Sequence, residues 1–230
     1  MKTIFLFLMC IVLSTVTSGR ANSQYPGRAE VIPPELSVEN SKMFLADRSY
    51  ESLHDYLRDR IAFPRQSLKR KKVEGTEVIQ FDVTPQGELS RFYVINSVSP
   101  EIDEHVISVL KTTSGFWTPG EINGEPVTMT HEISVAFKRV DFEGIPPEDF
   151  SRQAKLHFEK GTQQLLIGQN PKKALKHFNK GINYQPYEKR LLYMRGLCLK
   201  ELGDEEGARR DWERMKTLES RGADVTKAVY

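Results

Sequence analysis

Between Leu53 and Val140 the apolar and polar positions change period repeatedly, and each change predicts an element. Leu53, Tyr56, Leu57 and Ile61 recur at i, i+3, i+4 and i+8, the spacing of a helix with one buried face. Phe63-Pro64 ends it, because proline has no N–H to give and restricts the residue before it. Two strands follow, Thr76–Thr84 and Leu89–Val98, joined by the turn Pro85-Gln86-Gly87. Ile79, Phe81 and Val83 share one face of the first strand, with Gln80 and Asp82 on the other. A second helix is predicted from Ser99: serine caps it, Pro100 suits its first position, and Glu101, Asp103 and Glu104 face the positive end of its dipole. Its apolar stripe is Ile102, Val106, Val109 and Leu110. After the turn Asn123-Gly124, a last strand alternates: Val127, Met129, His131, Ile133, Val135 and Phe137 against Thr128, Thr130, Glu132, Ser134 and Lys138.

That order resembles the C-terminal domain of TonB-type energy transducers. The matching residues are Tyr56-Leu57, Ile61-x-Phe63-Pro64, Glu74-Gly75, Phe81-x-Val83, Gly87, Val94, Ser97, Asp103, Trp117-x-Pro119, Asn123-Gly124-x-Pro126-Val127 and Val135-x-Phe137. The resemblance implies an α+β domain over 49–140, a three-stranded antiparallel sheet with two helices. It also implies that the last strand is a sheet edge that accepts an extended peptide from an outer-membrane transporter. The residues so implicated are Met129, Thr130, His131, Glu132, Ile133, Ser134 and Val135.

The period of the second half is longer. Gly161 recurs as Gly196, Gly168 as Gly203, Ala174 as Ala208, and Phe178 as Trp212, at offsets of 35, 35, 34 and 34 residues. Small residues at these places let antiparallel helices approach closely, and the aromatic is expected to fill the gap between repeats. The pattern resembles the tetratricopeptide repeat, a helical hairpin of about 34 residues. It departs from that repeat at His157 and Leu192, at Gly181 and Met215, and in the lengthened Gln169–Lys173 turn. The resemblance implies an all-α module over 151–230, two repeats followed by a C-terminal cap. Its concave surface would present Lys155, Phe158, Thr162, Arg190, Tyr193, Leu197 and Lys200, a set suited to an acidic peptide or a terminal carboxylate. Asp141–Phe150 reads as the linker between the two modules, and 24–48 as a linker before the first.

Lys2, the apolar run Ile4–Val16 and Ala21-Asn22-Ser23 read together as a signal peptide over 1–23. The run is shorter than the roughly 20 residues of a spanning helix, and retention as an anchor is the alternative. Without that segment one cysteine is left, Cys198, read as a small buried hydrophobe. Basic and acidic residues then balance, which argues against nucleic acid. The balance hides a split: residues 24–150 carry 14 basic and 21 acidic side chains, a net of −7, and residues 151–230 carry 17 and 10, a net of +7. Opposite charge predicts that the two modules dock.

Chemistry is sparse. None of the five histidines has metal-ligand spacing, and there is no phosphate loop, nucleophile elbow or paired-carboxylate cleft. The run Lys69-Arg70-Lys71-Lys72 reads as a solvated loop or, alternatively, as a patch for anions. The expectation is an exported, non-enzymatic envelope protein, with no cofactor and no metal, that binds a protein or peptide and is linked to TonB-dependent transport. The alternatives are a repeat-based scaffold or chaperone-like adaptor, and a membrane-anchored transducer. The 26 residues Gln24–Ser49, roughly 90 Å fully extended, are short for a transducer's reach.

Overall fold

The computed structural model describes residues 29–36, 60–61, 73–138, 149–220 and 226–229. The expected signal segment, most of the first helix, the basic run at 69–72 and most of both linkers lie outside the described residues. Ile61 is described, and it is buried in the core as its helical position predicts.

Among the described residues nine strands and five helices follow one another. β1 (Val31–Ile32) and β2 (Glu35–Leu36) come first, inside the stretch read as a linker. β3 (Gly75–Val83) and β4 (Leu89–Asn96) form the expected hairpin. Its turn needs Gly87: φ is +75°, and a Cβ there would lie 2.2 Å from the Trp117 carbonyl oxygen. α1 (Pro100–Lys111) starts as predicted, with the Ile102 N–H donating to Ser99 Oγ. β5 (Trp117–Thr118), β6 (Gly120–Ile122) and β7 (Glu125–Val127) make small sheets with β1 and β2. Asn123 and Gly124, both at positive φ, turn β6 into β7. β8 (Met129–Phe137) then runs antiparallel to β3 along its whole length.

One face of this sheet behaves as the alternation requires. Ile79, Phe81, Val83, Ile133, Val135 and Phe137 pack on Ile102, Val106, Val109 and Leu110 of α1 and on Trp117. The other face departs from expectation. Asp82, Glu132 and Ser134, polar positions on the face opposite that core, are buried.

The helical half explains the burial of Glu132 and Ser134, whereas Asp82 is engaged within the sheet by Thr130 and Arg91. α2 (Phe150–Leu166), α3 (Pro171–Tyr184), α4 (Lys189–Glu201) and α5 (Glu205–Ser220) form two hairpins. A Cβ at Gly161 would lie 2.6 Å from Phe178, and one at Gly196 would lie 2.4 Å from Trp212. The same glycine-to-aromatic contact thus recurs in each hairpin. It closes each hairpin internally, whereas the periodicity suggested an aromatic between repeats. Cys198 is fully buried and its thiol is pushed up to about 11, first by burial and then by Glu201.

The hairpins dock on the sheet through α3 and α5. Thr76 Oγ1 donates to the Tyr184 carbonyl at 2.9 Å, Tyr184 OH to Glu74 Oε1 at 2.9 Å, and Asn183 Nδ2 to the Glu74 carbonyl at 2.8 Å. Gly75 permits this approach, since a Cβ there would lie 2.4 Å from Asn183 Nδ2. The expected helical cap also differs: α5 ends at Ser220, and β9 (Thr226–Val229) follows as a strand. β9 joins the main sheet, whose order becomes β4-β3-β8-β9, so the predicted three-stranded antiparallel sheet gains a fourth, parallel strand.

Glu77, on the core face of β3, is fully buried and accepts the Val98 N–H at 2.9 Å. Burial pushes its carboxyl up to about 9 against that hydrogen bond, and Asp103 adds to the rise. Ordinary glutamate ionises near 4.5, so between there and about pH 9 the unfolded chain releases a proton that the folded chain keeps. Stability from this site is therefore full below about pH 4.5 and declines as pH rises toward about 9. Glu77→Gln should raise the melting temperature by roughly several degrees at pH 8 and leave it unchanged at pH 4, followed by circular dichroism. An equal shift at both pH values would show that folding does not change the proton affinity of Glu77.

Candidate functional site

The seven residues expected at a peptide-accepting edge lie together on β8, but they differ in what they can offer. Thr130 is exposed, and its Oγ1 donates to Asp82 Oδ1 at 2.8 Å. Met129 is half-buried beside Gly120. His131 is half-buried between the rings of Phe81, at 5.6 Å, and Trp117, at 5.1 Å. Ile133 and Val135 belong to the core; Glu132 and Ser134 face the helical hairpins. Side chains therefore give a partner little to read along Ile133–Val135, and recognition there falls to the main chain.

The edge is not open. β9 lies parallel to β8, pairing Thr226 with Ile133, Lys227 with Ser134, Ala228 with Val135 and Val229 with Ala136. The last strand of the domain was expected at the rim of the sheet, and over these four positions it is instead an interior strand. β4 forms the rim on the opposite side, with Tyr93 (57% exposed), Val94 and Ile95 among the exposed residues.

Glu132 is the pivot between the modules. Arg214 of α5 grips it with two parallel bonds, Nη1 to Oε2 at 2.7 Å and Nη2 to Oε1 at 2.5 Å. Both side chains are largely out of water, 14% and 5% exposed. The guanidinium also lies over the Tyr187 ring, 5.6 Å from its centroid. Burial raises the Tyr187 phenol well above its ordinary range, and the Glu132 charge adds to the rise. Two parallel bonds to a buried carboxylate fix both distance and orientation.

The second expected surface is partly assembled. Phe158 of α2 and Arg190 of α4 meet, with the guanidinium 5.5 Å from the ring centroid. Lys155, Arg190, Tyr193 and Lys200 are exposed; Thr162 and Leu197 are half-buried. Arg190 is already engaged by Glu188, through Nε to Oε1 at 3.0 Å, and this holds the Glu188 carboxyl below its ordinary range. Part of the positive charge expected for an acidic partner is therefore offset from within.

His157 and His177 approach Nδ1 to Nδ1 at 3.2 Å. Burial lowers both, and Lys160 and Lys180 reinforce the shift. Such a pair, beside two lysines, does not attract a cation. Among the described residues no cluster of three or more His, Cys, Asp or Glu side chains could hold a metal ion.

Residues 59–139 match the family model for the Gram-negative bacterial TonB protein C-terminal. This segment is a TonB C-terminal domain. The match covers a little over a third of the chain and ends before the helical hairpins. No curated protein and no solved structure matches the chain. A TonB C-terminal domain points to an envelope protein engaged in TonB-type transport or protein interaction.

Sequence reasoning missed β9, Arg214 and Tyr187. For β9 there was a signal: Val225-Thr226-Lys227-Ala228-Val229-Tyr230 is rich in β-branched and aromatic types. Arg214 had none, being one basic residue in a helix full of them.

Removing one member of a buried ion pair leaves the other uncompensated, at a cost of about 3–5 kcal/mol. Arg214→Ala should lower stability by about that amount in chemical denaturation, and Glu132→Leu with Arg214→Met should recover most of it. A double variant as unstable as Arg214→Ala would mean that the apolar contacts around the pair, not its charges, hold the modules together.

Proposed function

We propose that this chain is a non-enzymatic recognition protein of the Gram-negative periplasm. Its TonB C-terminal domain takes an extended segment of an envelope partner, in the first instance a TonB-dependent outer-membrane transporter, as an added strand on β8. One observation carries the reading: β8 already accepts an added strand, since β9 pairs with it from Ile133 to Ala136. An edge that binds one extended segment through its main chain is chemically able to bind another, because the ladder bonds do not depend on side-chain identity. The helical hairpins read best as two tetratricopeptide-like repeats. The repeated contacts Gly161 to Phe178 and Gly196 to Trp212 support that reading.

A second reading, a scaffold or chaperone-like adaptor, is favoured by the occupied edge and by the exposed Tyr193 beside the Arg190–Phe158 pair. In it the hairpins bind and the sheet supports them.

The two readings part on the ligand's backbone. Periplasm-facing extended peptides from TonB-dependent transporters should bind the full chain in titration calorimetry. N-methylation at alternate residues of the peptide should weaken binding about tenfold or more, since each lost ladder donor removes about 0.5–1.5 kcal/mol. Tyr193→Ala should leave that binding unchanged. The opposite result, sensitivity to Tyr193→Ala and indifference to N-methylation, selects the adaptor.

A further inference from the structure

β9 has a geometry that a permanent strand of the sheet does not require. It is four residues long, among the described residues it pairs only with β8, and it runs parallel to it, the less stable pairing per residue. β3, by contrast, holds nine residues of β8 in antiparallel register. A short strand of this kind adds little intrinsic affinity and must be held in place by its tether.

The ends of the tether are fixed by α5 and by chain length. α5 is fixed to the sheet at Arg214, whose partner Glu132 is the residue just before Ile133, where the β9 register begins. From Ser220, the end of α5, five residues lead to Thr226, a span of at most about 20 Å. The clamp on β8 thus delivers the following segment to the same strand. Elements joined by so few residues meet at an effective concentration in the millimolar range, enough to hold a contact that would be weak between separate molecules.

We propose that residues 226–229 are an intramolecular competitor: the chain's own segment occupies the strand-accepting edge of β8, and an extended partner must displace it to bind. Masking of the edge follows from the structure alone; identifying the displacing partner as an envelope protein rests on the function proposed above. The arrangement makes β8 a latent site. Its four outer positions are protected against chance pairing with other unpaired strands, a hazard of any open edge. Access becomes a contest between tether and partner. Because the tether depends on α5, anything that lifts the helical hairpins from Glu132 also weakens the competitor.

The test uses a labelled peptide of residues 221–230 and fluorescence anisotropy, so it needs no knowledge of the partner. A chain ended after Ser220 should bind the peptide, and the full chain should bind it about tenfold more weakly or worse, as a millimolar internal competitor requires. Lys227→Pro and Ala228→Pro in the full chain provide the second arm. Successive N–H groups point to opposite sides of a strand, so one of these prolines removes a donor aimed at β8 and should restore binding. Equal affinity for the full and shortened chains, or no binding to either, overturns the proposal. So does loss of the cooperative melt in the shortened chain and both proline variants, because β9 would then be a structural strand. If the 221–230 peptide binds the shortened chain as expected while transporter peptides do not, the masking stands and the transporter assignment falls.

Discussion

Arg214 carries a full positive charge into a place nearly closed to water, and Glu132 meets it there with two hydrogen bonds. Neither side chain would be tolerable without the other, since an isolated buried charge loses its hydration and gains nothing in return. The pair therefore links two decisions. Glu132 sits on the polar row of β8, which would face water if the helical hairpins were absent; Arg214 sits on α5, which would need no partner if the sheet were absent. Around the pair, Thr76, Glu74 and Gly75 fit the end of α3. The polar face of the sheet becomes an interior, and the pose of the hairpins follows from it.

Much of the TonB C-terminal domain was legible from residue order. The Ser99 cap, the Gly87 turn, the Asn123-Gly124 turn and the odd-numbered apolar row of β8 are local signals, and each forms where it was read. Alternation could not say what would cover the second face. Thr130, Glu132 and Ser134 look solvated in any strand read alone, and only a module more than ten residues downstream buries two of them. The short strands β1 and β2 escaped for a related reason: two-residue pairings have no period to detect, and they exist because Trp117 to Ile122 lie opposite.

The candidate site was legible in identity and not in state. The sequence places an edge-type strand at Met129–Val135, but occupancy of an edge is decided by a segment almost a hundred residues later. His131 shows the same limit at one residue. It falls in the apolar row of the last strand, and it is half-buried between Phe81 and Trp117 because the segment after α1 folds back over the sheet.

The charge split between the halves is real, but it does not set the contact. Net charges of −7 and +7 attract over about a Debye length, some 8–10 Å at ordinary ionic strength, without preferring one orientation. Contacts that do prefer one are short, among them an ion pair removed from water and three hydrogen bonds, two of them to Glu74. Long-range attraction favours the encounter of the modules, and these contacts select the pose. That division of labour matters for β8. A diffuse attraction alone would leave the end of α5 free to wander over the sheet and dilute the segment it carries. By fixing α5 at Glu132, the buried pair turns an unspecific attraction between modules into control over a single edge.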